Sequence, residues 1–381
     1  MDKAIILGND HTNSIGLIHS LGRNGVYTIA VVWGRKTGIV IASNYVSEFY
    51  SASTPQDCMQ LIIDKFGTRD ERFVIIPGCD DAAAVIEEFE NMIPKNFLFQ
   101  FVNGKYSLCQ LDNKELQVKL AEIAGFNTPK SWIIDNLDRI PTDISFPCLI
   151  KSLIAREGSK SDLIVSQNKE DFIKNLYQVL SRTRHVQVQQ YIEKDYDFDV
   201  MGCRFSDGEI YIPICLKKLD IYPPKVGLAT ISETVQVPSE IFNAAVNFIK
   251  EVDYYGIFDF EYMHSMTDDK NYFIECNLRN SGSNAFALRS GYNIPLYHFQ
   301  DFTGTLNKKL INRAPVGTNY YIREMHYLNA FRNKSVSLTQ LIKDIKKSGG
   351  NLTYYKDDKK PYFAQWTLLL KHKFGKNAEN Y

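Results

Sequence analysis

The segment Phe258–Gly282 reads FDFEYMHSMTDDKNYFIECNLRNSG and carries two glutamates, Glu261 and Glu275, inside two neighbouring apolar runs. A carboxylate inside an apolar strand costs several kcal/mol of folding free energy unless a cation or a hydrogen-bond donor compensates it. The polar turn between the runs predicts that they form adjacent antiparallel strands. The sequence therefore requires a compensating partner for both glutamates.

Strand alternation sets the faces on which these side chains lie. It puts Glu261 on the face of Asp259. It puts Glu275 on the face of Phe273 and Asn277. Adjacent strands would then bring both carboxylates and the Asn277 amide oxygen together, and three hard oxygen ligands are typical of a Mg2+ site, with Mn2+ as an alternative. On spacing alone, a pair of solvent-facing acids on an amphipathic hairpin is an equally good interpretation.

Arg279 lies two residues after Asn277, and the loop that follows, Asn280–Ser283, contains a glycine. A guanidinium at this position can hold phosphate oxygens bidentately, while the N–H groups of the loop supply further donors. Metal ligands beside an arginine therefore predict a polyphosphate ligand.

Composition excludes several classes of protein. The chain has 381 residues, 44% of them hydrophobic, and equal numbers of basic and acidic residues, 44 of each. This length predicts two or three domains, and zero net charge argues against a dedicated nucleic-acid or membrane-surface protein. The seven cysteines are scattered and lack C-x-x-C spacing, which argues against a disulfide framework or structural zinc site. The apolar run Ala4–Leu7 is too short for a signal peptide, so we expect a cytoplasmic protein.

Residues 1–110 alternate apolar runs such as KAIILG and VYTIAVVW with helical patterns, which predicts a Rossmann-like parallel α/β domain. The residues after the first strand, GNDHTNSIG, do not form G-x-G-x-x-G. The second strand ends in Trp33-Gly34-Arg35-Lys36 without the acid that binds a ribose. A dinucleotide site is therefore not expected here.

From Leu111 the pattern changes. The stretch LDNKELQVKLAEIAGFNTP predicts a helix that starts at Asp112 or Asn113 and has an apolar face formed by Leu116, Leu120 and Ile123. FPCLIKSL and DLIVS predict paired strands, and HVQVQQYI predicts a strand with strict alternation.

These segments carry a resemblance to a known family. FDFEYM and YFIECNLRNSGS resemble the C-terminal motif of the ATP-grasp superfamily, in which an acid, a short hairpin, E-x-N-x-R and small residues follow one another. On this resemblance Glu261, Glu275 and Asn277 correspond to the family's magnesium ligands, and Arg279 corresponds to its phosphate-contacting arginine. The resemblance implies ATP and Mg2+ as cofactors.

The upstream segments resemble the rest of the family's nucleotide site, in the family's order. Lys114 in LDNKELQ and Lys151 in FPCLIKSL correspond to lysines that contact the phosphates, and Lys151 would lie against the α and β phosphates. Lys160 in IAREGSKSD corresponds to a lysine of the loop that closes over the triphosphate, although this loop has only Gly158 where the family usually has several glycines. A solvated surface position is the alternative for each lysine, and an exposed turn is the alternative for the loop.

HVQVQQYIEKDYDFDV resembles the family's adenine hinge. The resemblance implies that the backbone of Gln190, Tyr191 and Ile192 pairs with the adenine edge, with Gln190 in place of the usual glutamate. Asp197 is expected to accept the ribose hydroxyls, with Asp199 or Asp195 as alternatives.

The resemblance also implies the domain organisation and the reaction. We expect a Rossmann-like domain over residues 1–110, a two-lobed ATP-grasp domain over 111–310 with a mobile lid at about 131–195, and a C-terminal extension over 311–381. The implied reaction phosphorylates a carboxylate to an acylphosphate and couples it to an amine, with release of ADP and phosphate. The narrower resemblance is to carbamoyl-phosphate-synthase-like and D-aspartate-ligase-like carboxylate–amine ligases of the acid–amino-acid type, which are often associated with amino-acid, peptidoglycan or cell-surface polysaccharide modification.

Lys151, Lys160 and Arg279 are the expected catalytic residues, and Lys218 and Arg289 are candidates for holding an anionic small-molecule substrate. Neither a nucleic-acid partner nor membrane insertion is expected, and a homodimer is left open. Two other functions remain open on the same evidence. One is a phosphotransferase that stops at a stable phosphorylated product, and the other is a nucleotide-binding protein without catalysis.

Overall fold

Three sheets organise the chain, and the computed structural model describes them over residues 2–34, 38–153, 163–222, 227–334 and 336–374. The first is a five-stranded parallel sheet in the order β3-β2-β1-β4-β5. Its strands are β1 (Lys3–Asn9), β2 (Tyr27–Trp33), β3 (Glu48–Ala52), β4 (Phe73–Pro77) and β5 (Phe97–Phe99). The accompanying helices are α1 (Thr12–Gly22), α2 (Pro55–Phe66) and α3 (Asp80–Glu88). The central strands are apolar on both faces because helices or other elements cover both, which confirms the predicted α/β class.

The second sheet is antiparallel, in the order β7-β10-β8-β9. Its strands are β7 (Ser131–Ile134), β8 (Cys148–Ser152), β9 (Ile164–Ser166) and β10 (Val186–Gln190). Helix α6 (Lys169–Leu180) packs on one face, where Ile150 and Val188 meet Phe172. Alternation leaves Lys151 and Gln189 on the other face. We call this sheet with α6 the lid sheet.

The third sheet is the largest, with the order β15-β14-β11-β12-β13-β16. Its strands are β11 (Lys194–Arg204), β12 (Ile210–Tyr222), β13 (Leu228–Val235), β14 (Tyr254–Ser265), β15 (Asn271–Asn277) and β16 (Tyr320–Ile322), and β6 (Phe101–Val102) pairs with β14. The remaining helices are α4 (Leu108–Leu111), α5 (Lys114–Ala124), α7 (Ser239–Glu251), α8 (Asn284–Arg289), α9 (Ile294–Thr303), α10 (Glu324–Arg332), α11 (Leu338–Lys347) and α12 (Lys360–Phe374). We call this the large sheet.

The two faces of the large sheet differ in character. One face packs under α5 and α7 and is aromatic, with Phe198, Phe260, Tyr262 and Phe273 in one cluster. The other face is turned toward the first sheet and carries the carboxylates. The separation follows from strand alternation, since aromatic and acidic residues occupy alternate positions along β14.

The predicted face of Phe273 is wrong. The pairing of β14 with β15 shifts between Glu261 and Tyr262, so that Glu261 lies opposite Glu275 while Tyr262 lies opposite Phe273. A β-bulge of this kind inserts one residue and reverses the alternation beyond it. Phe273 therefore enters the aromatic core, and Glu275 stays on the acidic face.

Helix α5 follows its predicted boundaries but not its predicted face. The Asn113 side chain accepts hydrogen bonds from the first-turn backbone, and Gly125 ends the helix with a φ of 99°, a left-handed conformation that favours glycine. Leu120 is buried, but Ile123 is 69% exposed. Gln117 lies on the buried face instead, because its amide pairs with the backbone of β15.

The C-terminal segment returns to the first domain. Asp358 is fully buried and accepts hydrogen bonds from His19 and Ser43, and Asp357 pairs with Arg23. These contacts hold residues 351–358 beside α1. The domain boundaries predicted from the sequence remain predictions.

Candidate active site

Two carboxylates lie opposite each other on neighbouring strands of the large sheet. Glu261 on β14 is the direct cross-strand partner of Glu275 on β15, and Asp259 is the partner of Asn277. Directly opposed side chains lie about 4.5–5.5 Å apart at Cβ. Burial, followed by the charge of Glu261, raises the pKa of Glu275. The pair therefore concentrates negative charge that a cation would relieve.

Lys218 on β12 pairs with the acidic face. Its Nζ lies 2.7 Å from Asp199 Oδ1 and 2.9 Å from Glu261 Oε2. Burial works to raise the pKa of Glu261, but Lys218, together with Arg279 and Arg323, outweighs burial and the net shift is downward. The pKa of Lys218 is raised because the carboxylates, led by Asp199, outweigh the cost of burial. The predicted substrate lysine is therefore tied to the acidic face.

The two predicted phosphate lysines meet at the end of β8. The N–H of Lys114 donates to Leu153 O and its Nζ donates to Ser152 O, which joins the start of α5 to the lid sheet. Lys151 is 5% exposed and its Nζ donates to Gln189 Oε1 at 3.2 Å. Burial, and then the charge of Lys114, lower the pKa of Lys151 to about 7, against the opposing effect of Glu275. Both lysines thus lie near the acidic pair.

Arg279 has a partner that its sequence neighbourhood does not reveal. Its Nε and Nη2 donate to the two carboxylate oxygens of Asp80, at 2.7 and 3.0 Å. Nη2 also donates to Asn277 Oδ1 at 3.0 Å, and Nη1 donates to Asn280 O. A phosphate contact by Arg279, and a metal contact by Asn277, would therefore each require an exchange of partners.

The hinge between the lid sheet and the large sheet runs from β10 to β11. The amide of Gln190 donates to Lys130 O and that of Tyr191 donates to Pro147 O, so both N–H groups are engaged within the lid. Ile192 is buried and is the predicted hinge residue whose N–H these contacts do not use. The Gln190 side chain is exposed, whereas that of Gln189 faces Lys151.

The acids predicted for the ribose lie at the start of β11. Asp197 is buried, accepts a hydrogen bond from Lys194, and its Oδ1 has no hydrogen-bond partner among the described residues. Asp199 instead binds Lys218 and Ser283, so it belongs to the acidic face. Asp195, the other alternative, is exposed.

Two predicted residues are placed elsewhere or fall outside the description. The Arg289 guanidinium donates to Asn351 O and Tyr354 O and stacks 3.9 Å from the ring centroid of Tyr355, so it holds the C-terminal segment. A substrate contact by Arg289 would require it to exchange these partners, and its role as a substrate residue stays a prediction. Lys160 and the predicted closing loop lie outside the described residues.

Gln117 was missed by the sequence analysis. Its Oε1 accepts from the N–H of Cys276 at 2.9 Å and its Nε2 donates to Cys276 O at 3.0 Å. Because β15 is an edge strand, this amide takes the place of a neighbouring strand beside Glu275. A glutamine on the buried side of a helix was the only available signal.

We expect Gln117→Leu to lower the free energy of unfolding by about 1–3 kcal/mol, because it leaves two buried backbone groups of Cys276 unpaired. Urea denaturation measures this loss. Gln60→Leu is the matched control, since Gln60 is an exposed helical glutamine whose side chain donates to the Asp64 side chain. Equal stability of the two variants would contradict the bridging role.

A cleft opens on the acidic face, with about 550 Å3 of water-accessible space. Its walls come from the loop after β1, the acidic face, the loop after β15, and helices α10 and α12. Lys218, Glu261 and Arg279 line it, and Arg279 also lines a smaller cavity that contains Lys114, Glu275 and Asn277. Five of the residues predicted from the sequence, Lys114, Lys218, Glu261, Glu275 and Arg279, thus border two spaces that share Arg279.

The side chains fit a magnesium site without forming one on their own. No group of three or more His, Cys, Asp or Glu side chains within the described ranges has metal-ligating geometry. Mg2+ is commonly held by one or two carboxylates and completes its shell with water and phosphate oxygens. The opposed glutamates, the nearby Asn277 oxygen and the raised pKa of Glu275 suit such an ion.

Comparisons with known proteins are consistent with this geometry. No protein-family model matches the chain. Over 128 residues it is 27% identical to a formate-dependent phosphoribosylglycinamide formyltransferase of Prochlorococcus marinus (strain MIT 9515), a match that covers 32% of this chain and 31% of that protein. The chain thus matches about a third of the length of this relative. No helix in the described ranges is long and apolar enough to cross a bilayer.

Solved structures match much more of the chain. The biotin carboxylase domain of Hydrogenobacter thermophilus 2-oxoglutarate carboxylase has a TM-score of 0.67 at 15% identity and covers 84% of this chain and 73% of its own. N5-carboxyaminoimidazole synthetase from Staphylococcus aureus, solved with ADP, has a TM-score of 0.64 at 12% identity, covering 80% and 78%. L-amino acid ligase from Bacillus licheniformis has 0.61 at 12%, covering 84% and 79%. The chain therefore has the ATP-grasp fold that its motifs predicted, with a parallel α/β domain at its N-terminus.

Proposed function

We propose that this protein is an ATP-dependent ligase that activates a carboxylate as an acylphosphate and couples it to an amine, forming an amide bond. The observation that carries the proposal is the meeting of Glu261 and Glu275 across two strands, with Lys114 and Lys151 close by. Opposed acids beside two lysines suit a metal-bound polyphosphate better than any other small ligand.

Each part of ATP can be matched to particular residues of this site. Lys151 and Lys114 would bind phosphate oxygens, and the backbone at Ile192 would pair with the adenine edge. The unpartnered Oδ1 of Asp197 would accept a ribose hydroxyl. Glu261, Glu275 and Asn277 would hold Mg2+, which when bound neutralises charge on the β and γ phosphates.

The chain's own contribution to the reaction is positioning and electrostatic stabilisation. Lys151 is buried and already aligned by Gln189, so its charge can be aimed at the phosphates without reorganisation. Asp80 of the first domain fixes Arg279, and Arg279 in turn orients Asn277, one of the expected metal ligands. No nucleophilic Ser or Cys is required, since the carboxylate substrate itself attacks the γ-phosphoryl group.

The comparisons support this class of reaction. The similar proteins include a formate-dependent formyltransferase, an L-amino acid ligase and a carboxylase domain solved with bicarbonate. Each name contains a small carboxylate, an amino acid or a related oxyacid. We further propose a role in peptidoglycan or cell-surface polysaccharide modification, which rests on the sequence resemblance alone.

A screen of ADP and phosphate release tests the proposal. The protein is incubated with MgATP and pooled carboxylates, with and without pooled amines. We expect ADP and free phosphate in equal amounts, at least tenfold above background, only when both pools are present. Accumulation of a stable phosphorylated acceptor without free phosphate would instead show a phosphotransferase.

A further inference from the structure

The large cleft has a polar end and an apolar end. The polar end lies on the acidic face, and the apolar end lies beside helices α10 and α12. Small-molecule sites in proteins typically span about 300–1,000 Å3, and the 550 Å3 of this cleft falls in that range. Eight apolar side chains line it: Ile39, Leu228, Ala229, Met325, Leu328, Leu352, Leu368 and Leu369.

Most charged groups at the polar end already have partners. Asp10 accepts from the N–H groups of Ile39 and Val40, and Glu324 accepts from Thr353. Lys218 and Arg279 are held by carboxylates, as described above. These charged groups line the cleft, but other parts of the protein already engage them, so they are not directly available to a ligand.

Four polar atoms of side chains lining the cleft have no hydrogen-bond partner among the described residues: Nε of Arg323, Oδ1 of Asp259, Oδ1 of Asp199 and Oγ of Ser281. Asp199 is already paired with Lys218. Nη2 of Arg323 donates to Ser283 Oγ at 2.8 Å, and the Asp259 side chain is 2% exposed. A buried polar group without a full set of partners is costly, so Arg323 Nε and the Asp259 and Ser281 oxygens favour a ligand that satisfies them. A carboxylate suits the Arg323 guanidinium, and an ammonium group can donate to the Asp259 and Ser281 oxygens.

We propose that the cleft binds an α-amino acid with an apolar side chain, as one of the two substrates of the ligase. Its carboxylate would pair with Arg323, its ammonium group would face Asp259, and its side chain would lie against Leu328 and Leu369. The inference rests on the proposed function for its role in the reaction. The binding itself follows from the unpartnered polar atoms and the apolar wall of the cleft.

Titration calorimetry of the full chain, with Mg2+ and β,γ-imido-ATP present, tests the binding directly. We expect L-leucine to bind at least tenfold more tightly than L-alanine or L-aspartate, because three buried carbon atoms add to the affinity. Leu369→Asn is expected to reduce leucine binding at least tenfold and to bring it to the level of alanine. Leu370→Asn is the matched control, because Leu370 is the next residue of the same helix and is 51% exposed.

The contact between Arg323 and the carboxylate of the amino acid has its own control. Arg323→Gln is expected to weaken leucine at least tenfold but to leave leucinamide unchanged, since the amide lacks the carboxylate. Preference for alanine or aspartate over leucine, or equal effects of the two leucine variants, would overturn the inference. If carboxylates drive ADP release but no apolar amino acid binds, the amino-acid site is refuted and the proposed ligase function stands. If leucine binds as expected but no substrate pair releases ADP, the proposed ligase function is refuted and the amino-acid site stands.

Discussion

Glu275→Gln is expected to abolish measurable ATP turnover, a loss on the order of 10²–10³-fold or more, comparable to the removal of a key electrostatic group. The substitution keeps the shape of the side chain and removes only its charge. Because burial and the neighbouring Glu261 raise the pKa of Glu275, its negative charge is costly to the folded protein. Its removal should therefore leave the melting temperature unchanged or slightly higher.

ADP release and thermal melting measure the two effects in parallel. Glu90→Gln is the control, because Glu90 is an exposed glutamate that lines neither the cleft nor the smaller cavity. Nucleotide titrations with and without Mg2+ add a second readout. Mg2+ should tighten nucleotide binding by the natural protein but not by the Glu275→Gln variant. A well-folded Glu275→Gln protein that turns over ATP normally would remove Glu275 from the metal site.

Lys151→Met is expected to weaken ATP binding by about 10- to 100-fold, the cost of losing a charged hydrogen bond to phosphate. The same variant should be more stable than the natural protein by about 1–3 kcal/mol. Both effects follow from the burial of Lys151, whose pKa is lowered from 10.5 to about 7. A buried lysine that is expensive to charge opposes folding, and a methionine of similar length does not.

The sign of the pH dependence follows from this shift. Between pH 7 and 10.5 the unfolded chain holds a proton on Lys151 that the folded chain has released. Stability from this residue therefore rises with pH through that window, by up to about 1.4 kcal/mol per pH unit, and Lys151→Met removes the rise. Urea denaturation at a series of pH values measures it.

ATP affinity should change in the opposite direction. A phosphate contact requires the charged lysine, so above pH 7 binding takes up a proton and the dissociation constant rises by up to about tenfold per pH unit. Lys151→Arg is the matched control, because arginine stays charged and should flatten the pH dependence. Calorimetry in buffers of different ionisation enthalpy counts the protons. Unchanged nucleotide binding by Lys151→Met would remove this lysine from the site.

Features that depend on short stretches of chain could be predicted from the sequence. Periodic apolar runs predicted the parallel α/β sheet, and the paired strands around Lys151 are present as β8 and β9. The cross-strand position of Glu261 and Glu275 followed from one hairpin, because two strands joined by a short turn must be neighbours. The start of α5 at Asn113 followed from its capping chemistry.

Contacts between distant segments could not be predicted. Asp80 meets Arg279 across 199 positions, and Gln117 meets Cys276 across 159. Arg289 is a basic residue near a glycine loop in sequence, yet the backbone of the C-terminal segment occupies it. Nothing in the local pattern around these residues identifies such partners.

The sequence by itself predicted which residues are candidates for the site and determined on which local element most of them lie, because the strand and helix periods act over a few residues. Only the tertiary structure decided which of those groups are engaged, how the bulge turns Phe273 into the core, and how α10 and α12 wall the cleft. The physical reason is that side-chain partners depend on how separate elements pack, and packing is a property of the whole chain rather than of any single segment.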